Sequence, residues 1–238
     1  MIPSPNAGIR VFVPLAALAA ALSVATYAAT RGQIHVSAAP STGNASGTRS
    51  ARATAIALLL VTELVFIPLG GIWTFSVQQG TNLGLSEGEA GMVLGWATFG
   101  GLAGGAIAGW LHDRIGLAAA LALGCGLSVA SCIAVGTVAS EVAFALAFLF
   151  YVITYTFVLS YILTAGASAD ARGRLSAMLL GAQLIGYAIG SYLVGSLLEH
   201  GNPALVWIGG GLTCALALVP AVWAAQRIES VRIPAAGI

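Results

Sequence analysis

Residues 55–79 read AIALLLVTELVFIPLGGIWTFSVQQ, 25 positions with one formal charge, at Glu63. A run of about 20 apolar residues is long enough to cross the hydrocarbon core as a helix. Outward from this stretch, six more runs have the same character: residues 11–30, 89–111, 117–138, 142–165, 175–198 and 204–225. Membrane barrel strands would instead be short and alternating. The expected fold is an all-α membrane protein with about seven transmembrane helices.

Composition agrees. Hydrophobic residues make up 58% of the chain, charged residues 7%, and the mean hydropathy is +0.95. A soluble domain carries about 25% charged residues, so the lipid bilayer must solvate most of this chain. The net charge of +1 gives no sign of a nucleic-acid partner. Cys125, Cys132 and Cys214 lie inside apolar runs and read as small buried hydrophobes. Residues 1–8 carry no basic residue and the first run is long enough to span, so a cleavable signal peptide is not expected. His35, His112 and His200 fall in loops. No span therefore offers a Ser–His pair and no two histidines have metal-ligand spacing. Neither an enzyme nor a cofactor is expected.

Orientation follows from arginine, the only basic residue type besides histidine. Arg31, Arg49, Arg52, Arg114, Arg172, Arg174, Arg227 and Arg232 share one side, and Arg10 stands alone on the other. The positive-inside rule places the C-terminus in the cytoplasm and the N-terminus outside, with the chain multi-pass in the inner or plasma membrane. The Ser-, Thr-, Gly- and Arg-containing stretch 31–54 reads as a flexible polar linker. It separates a single helix (1–30) from a six-helix bundle (55–226) and a cytoplasmic tail (227–238). An odd span count with an outside N-terminus is the expectation for a segment of a longer chain.

Polar residues within the spans mark candidate function. Glu63 lies about 12 Å deep at 1.5 Å per residue, where a carboxylate must face a cavity, find a partner or be protonated. Gly70, Thr74 and Gln78 continue its face, while Pro68 and Gly70-Gly71 should bend the helix. Tyr151, Thr154, Tyr155 and Tyr161 share one broad face of the fifth span, and Gln183, Tyr187 and Ser191 recur at i, i+4 and i+8 in the sixth. These residues suit either an organic solute or interhelical hydrogen bonds. The third span holds Gly91, Gly95, Gly100, Gly101, Gly104, Gly105 and Gly109, with small residues four apart at 91/95, 101/105 and 105/109, and the sixth repeats this at Gly186/Gly190 and Ser191/Gly195. Small residues at this spacing imply either static close packing or helices that slide during a conformational cycle.

The loop after the third span reads Gly109-Trp-Leu-His-Asp113-Arg114-Ile-Gly116. It resembles the G-x-x-x-D-R-x-G motif of the major facilitator superfamily, although Leu117 and Ala118 stand where that pattern continues with basic residues. Asp170, Arg172 and Arg174 resemble the family's charged loop between its tenth and eleventh helices. The run 181–195 resembles its eleventh helix, and residues 7–10 resemble the approach to its sixth. The resemblance implies a sixth helix, a central linker and a C-terminal six-helix half, with the N-terminal half missing and needed as a partner. It further implies a cytoplasmic gating motif of Gly109, Asp113, Arg114, Gly116, Asp170, Arg172 and Arg174. Glu63, Thr74, Gln78, Tyr151, Tyr155, Gln183 and Tyr187 would then line the central cavity, with Glu63 coupling protons. The expected function is secondary active transport of a small organic solute by alternating access. The alternative is a truncated half-transporter, inactive alone or serving as a pairing or regulatory protein. A retinal protein is excluded because the chain has no lysine for a Schiff base.

Overall fold

Stretches of more than 20 apolar residues form helices because each backbone N–H in lipid must bond within its own segment. The computed structural model describes residues 45–170, 172–199 and 203–232. In chain order the helices are α1 (Ala45–Thr74), α2 (Ser76–Asn82), α3 (Glu87–Thr98), α4 (Gly100–Leu111), α5 (Leu117–Gly136), α6 (Glu141–Ala169), α7 (Arg174–Glu199) and α8 (Pro203–Arg232). Among the described residues six segments are long and apolar enough to cross a membrane: Ser50–Thr74, Glu87–Leu111, Leu117–Gly136, Glu141–Ala169, Arg174–Glu199 and Leu205–Ser230. They coincide with the last six expected spans. The expected run at 11–30 lies outside the described residues, as do 31–44 of the linker and the chain after 232.

Three boundaries differ from expectation. Helix α1 begins at Ala45, so the last ten positions assigned to the linker are helical. Alanine and arginine there are good helix formers, and the Thr54 hydroxyl donates back to the Ser50 carbonyl at 3.2 Å. Helix α8 continues to Arg232, taking in the start of the expected tail. The third span is interrupted at Phe99 between α3 and α4. There Thr98 Oγ1 donates to the Gly95 carbonyl at 2.6 Å, and two glycines follow, weakening the helix. Pro68, by contrast, sits inside a continuous α1, and the break comes only at Phe75.

Among the described residues the arginines segregate to one side. Glu87, Glu89, Glu141 and Glu199 stand at helix ends on one side of the bundle, and Glu89 closes a capping box with Ser86. Arg52, Arg114, Arg172, Arg174 and Arg227 stand at the other. Between them the outer faces are apolar, with Trp96 73%, Leu102 74% and Val219 74% exposed, as lipid contact requires.

The packing has an internal repeat. The main pairs are α1 on α7, α4 on α6, α5 on α8, α1 on α8 and α5 on α6. Exchanging the first three spans (α1, α3–α4, α5) with the last three (α6, α7, α8) maps each of these pairs onto another in the set or onto itself. The match extends to residues. A methyl at Gly190 would collide with the Ile67 carbonyl, and one at Gly104 would collide with the Ile153 carbonyl. Gly190 follows Gly104 by 86 residues, Ile153 follows Ile67 by 86, and Gly186 follows Gly100 by 86. Both crossings run in parallel. Gly186 meets Glu63 and Ile67, then Gly190 meets Ile67 and Gly71, while Gly100 meets Leu149 and Gly104 meets Ile153. Each repeat holds three spans, an odd number, so the two units cross the bilayer in opposite senses.

Candidate functional site

The glycine crossing of α1 and α7 decides where the polar residues meet. Gly186 and Gly190 let the two backbones approach closely, which brings the Glu63 carboxylate beside Gly186. A methyl built there would stand 3.2 Å from Glu63 Oε2. Glu63 is half-buried near the middle of the span Ser50–Thr74. Its Oε2 is buried and has no hydrogen-bond partner among the described residues. A charged oxygen in that position is costly unless a proton or an outside cation neutralises it.

Aromatic rings surround this part of the crossing. Phe66, one turn after Glu63, sits edge-on to Tyr155 at 5.4 Å between ring centroids and to Tyr187 at 6.2 Å. Tyr155 and Tyr187 are 6.1 Å apart, so three helices contribute one triangle of rings. Gln183 Nε2 donates to the Tyr155 hydroxyl at 2.5 Å. Gln183 is buried, whereas Tyr155 and Tyr187 remain half-buried. Further along α1, Thr74 Oγ1 and Ser191 Oγ lie 2.6 Å apart, and Thr74 is exposed. Glu63, Tyr155, Gln183 and Tyr187 thus belong to one assembly, and Thr74 extends it.

Two of the expected cavity residues are placed differently. Tyr151 is fully buried, stacks on Trp73 at 6.1 Å, and donates its hydroxyl to the Leu69 carbonyl at 2.5 Å. It pins α6 to α1. Tyr151→Phe is expected to lower stability by about 1 kcal/mol, measured by thermal melting in detergent. Gln78 is exposed and lines a separate cleft of about 220 Å³ with Gln79, Asn82 and Trp207. The reason is the break at Phe75, which starts a new helix before Gln78.

The residues expected to form a gating motif lie at the arginine-bearing end. Asp113 and Arg114 are exposed, and the Arg114 guanidinium lies 3.8 Å from the centroid of the Trp110 ring. Gly116 caps the start of α5, where Glu229 Oε1 accepts the Ala118 N–H at 3.3 Å. A carboxylate at a helix N-terminus complements its dipole. Asp170 is buried and accepts the backbone N–H groups of Arg172 at 3.0 Å and Leu175 at 3.1 Å, so it caps the start of α7. Arg172 and Arg174 are exposed. Gly109 borders a cleft of about 340 Å³ with His112, Tyr161 and Thr164.

Phe66 and Glu229 were not anticipated. Phe66 was visible as the i+3 neighbour of Glu63 on one helix face. Glu229 lies 111 residues from its partner, and no local pattern reveals such a cap. No protein-family model matches this chain, and neither does any curated protein or solved structure.

Proposed function

We propose that the chain is a secondary transporter of a small organic solute, moving it by alternating access with Glu63 carrying the coupled proton. The carrying observation is the 86-residue repeat with inverted topology, an architecture from which many secondary transporters are built, with binding sites near the bilayer midplane. Glu63 is an ionisable residue at that depth with a buried, unpartnered oxygen, the situation in which a proton relay is the default reading. The motif Gly109–Gly116 resembles that of the major facilitator superfamily and supports the same assignment. The arginine-bearing end is then the cytoplasmic side. Single cysteines at Asp113 and Glu141 test this: a membrane-impermeant maleimide added to intact cells should label position 141 and not 113.

The transport test is reconstitution of the whole chain into liposomes that contain a pH-sensitive dye. Addition of a transported solute is expected to dissipate an imposed pH gradient. If a broad panel of amines, sugars, amino acids and aromatic compounds moves neither protons nor label, the proposal is wrong.

A second reading has its own support. Among the described residues nothing lies within 4 Å of a methyl built at Gly91, Gly95, Gly105 or Gly109, although helices associate in lipid through such small-residue faces. In this reading the chain is a half-transporter whose open glycine face packs against an N-terminal half or a second polypeptide. Chemical crosslinking in native membranes through a cysteine at Gly95 tests it; exclusively monomeric, uncrosslinked chains would remove it.

A further inference from the structure

The repeat provides an internal comparison for every residue of the site. At 86 residues' separation, Glu63 corresponds to Leu149, Phe66 to Val152, Tyr155 to Leu69, Gln183 to Ala97 and Tyr187 to Gly101. At one crossing Leu149 lies against Gly100; at the other Glu63 lies against Gly186. At these five counterpart positions the same helix geometry therefore closes with only aliphatic and small residues. Packing does not require an acid, an amide or three aromatic rings at this place, and all five occur on one side of the pseudo-symmetric bundle.

The chemistry of the five residues narrows what they would hold. Glu63 presents a buried carboxylate oxygen with no hydrogen-bond partner among the described residues. On its own helix the arginine nearest below it is Arg52, 11 residues away, or about 16 Å along the axis. On α7, Arg174 precedes Gly186 by 12 residues, about 18 Å. Among the described residues the arginines thus stand at the helix ends. The fully buried Phe66 packs edge-on behind Tyr155 and Tyr187, which leaves the two half-buried tyrosine rings to meet a ligand; ring faces attract cations within about 6 Å of their centroids. Phe66 and Gln183 are buried, whereas Glu63, Tyr155 and Tyr187 are half-buried beside the exposed Leu60 and Leu184, so a ligand on this face reaches the carboxylate and the two tyrosine rings.

We infer that the one-sided cluster of Glu63 with Phe66, Tyr155, Gln183 and Tyr187 binds a monovalent organic cation with an apolar body, such as a quaternary ammonium or phosphonium ion. The inference rests on the transporter reading in taking this face as solute-facing. Glu63 supplies the counter-charge and the rings supply the apolar, electron-rich wall. Gln183 positions the Tyr155 hydroxyl.

The test is equilibrium binding of tetraphenylphosphonium to the full chain in nanodiscs, beside neutral triphenylphosphine oxide as a charge-free aryl control. Saturable binding of the cation is expected, with the neutral compound about tenfold weaker or more, the scale of one lost ion-pair or cation–π contact in a desolvated site. Glu63→Gln and Glu63→Leu should lose about tenfold for the cation with unchanged melting temperature, and Tyr155→Leu should weaken it too. Equal affinity for cation and neutral control, or no saturable binding of tetraphenylphosphonium or of benzyltrimethylammonium, overturns the inference in the native protein without any variant. Charge-selective, Glu63-dependent binding without proton flux retains the site and removes the transport reading. Proton-coupled uptake of neutral solutes without cation binding does the reverse.

Discussion

Gly190→Leu is expected to abolish the folded protein. The glycine stands where any Cβ would run into the Ile67 carbonyl, and the obstacle is backbone in the middle of a helix. Overpacking a core costs about 1–3 kcal/mol when side chains can shift. Here α1 and α7 would have to separate along their whole crossing, against a total stability of about 5–15 kcal/mol. Size-exclusion chromatography in mild detergent should show aggregate in place of a monodisperse peak. Gly104→Leu should behave in the same way, because its Cβ would meet the Ile153 carbonyl. Gly95→Leu is the matched control: nothing lies within 4 Å of it, so the monomer should fold. A well-folded Gly190→Leu protein with an unchanged melting temperature would refute the crossing geometry and with it the repeat. The control carries separate information, because failure of Gly95→Leu only in crosslinking would support the half-transporter reading.

Glu63→Leu is expected to leave the fold intact and to lower coupled proton flux by about 100-fold, to the background of empty liposomes. The first half of this expectation comes from the repeat. Leucine is the residue that nature places at the equivalent position, Leu149, against the equivalent glycine, Gly100. Replacing a half-buried acid that has an unpartnered oxygen by leucine also removes a desolvation cost, so the melting temperature should hold or rise. The second half comes from chemistry, since leucine has no exchangeable proton. Undiminished solute-driven proton flux in the variant would take Glu63 out of the coupling mechanism. A melting temperature that collapses would instead show that the carboxylate is structural and has a partner.

These two variants probe different layers of the molecule. The glycine crossings decide whether the bundle exists, and in the proposed reading the Glu63 cluster decides what it does once formed. Cys125, Cys132 and Cys214, all buried, belong to the first layer, as expected of small apolar residues.

The spans were legible in the sequence because their signal is local. A stretch such as 55–79 must be helical in lipid whatever surrounds it, since each N–H bonds four residues back. Hence the last six expected spans coincide with the six found, and the errors lie at ends. The linker and tail each lost residues to helix, where polar but helix-favouring residues carry no hydropathy signal. The interruption at Phe99 was hidden in an unbroken apolar run. The polar stripe of Glu63 and Thr74 and the stripe of Gln183 and Tyr187 were also legible, from helical spacing alone.

Only the tertiary structure decided which stripes meet. Gln78 shares the helical phase of Glu63, yet a break at Phe75 sends it to another cleft. Tyr151 and Tyr155 stand on one face of one helix, yet the first pins a carbonyl of α1 and the second joins the ring cluster. The glycines at 100 and 104 and at 186 and 190 are visible in the sequence, but their equivalence is not. It depends on which carbonyl each one admits, and that is fixed by contacts between helices far apart in the chain. Local hydrogen bonding and hydropathy therefore determined the elements. Close backbone approach, which no single segment encodes, determined that Glu63 stands against Gly186 where its counterpart against Gly100 is leucine.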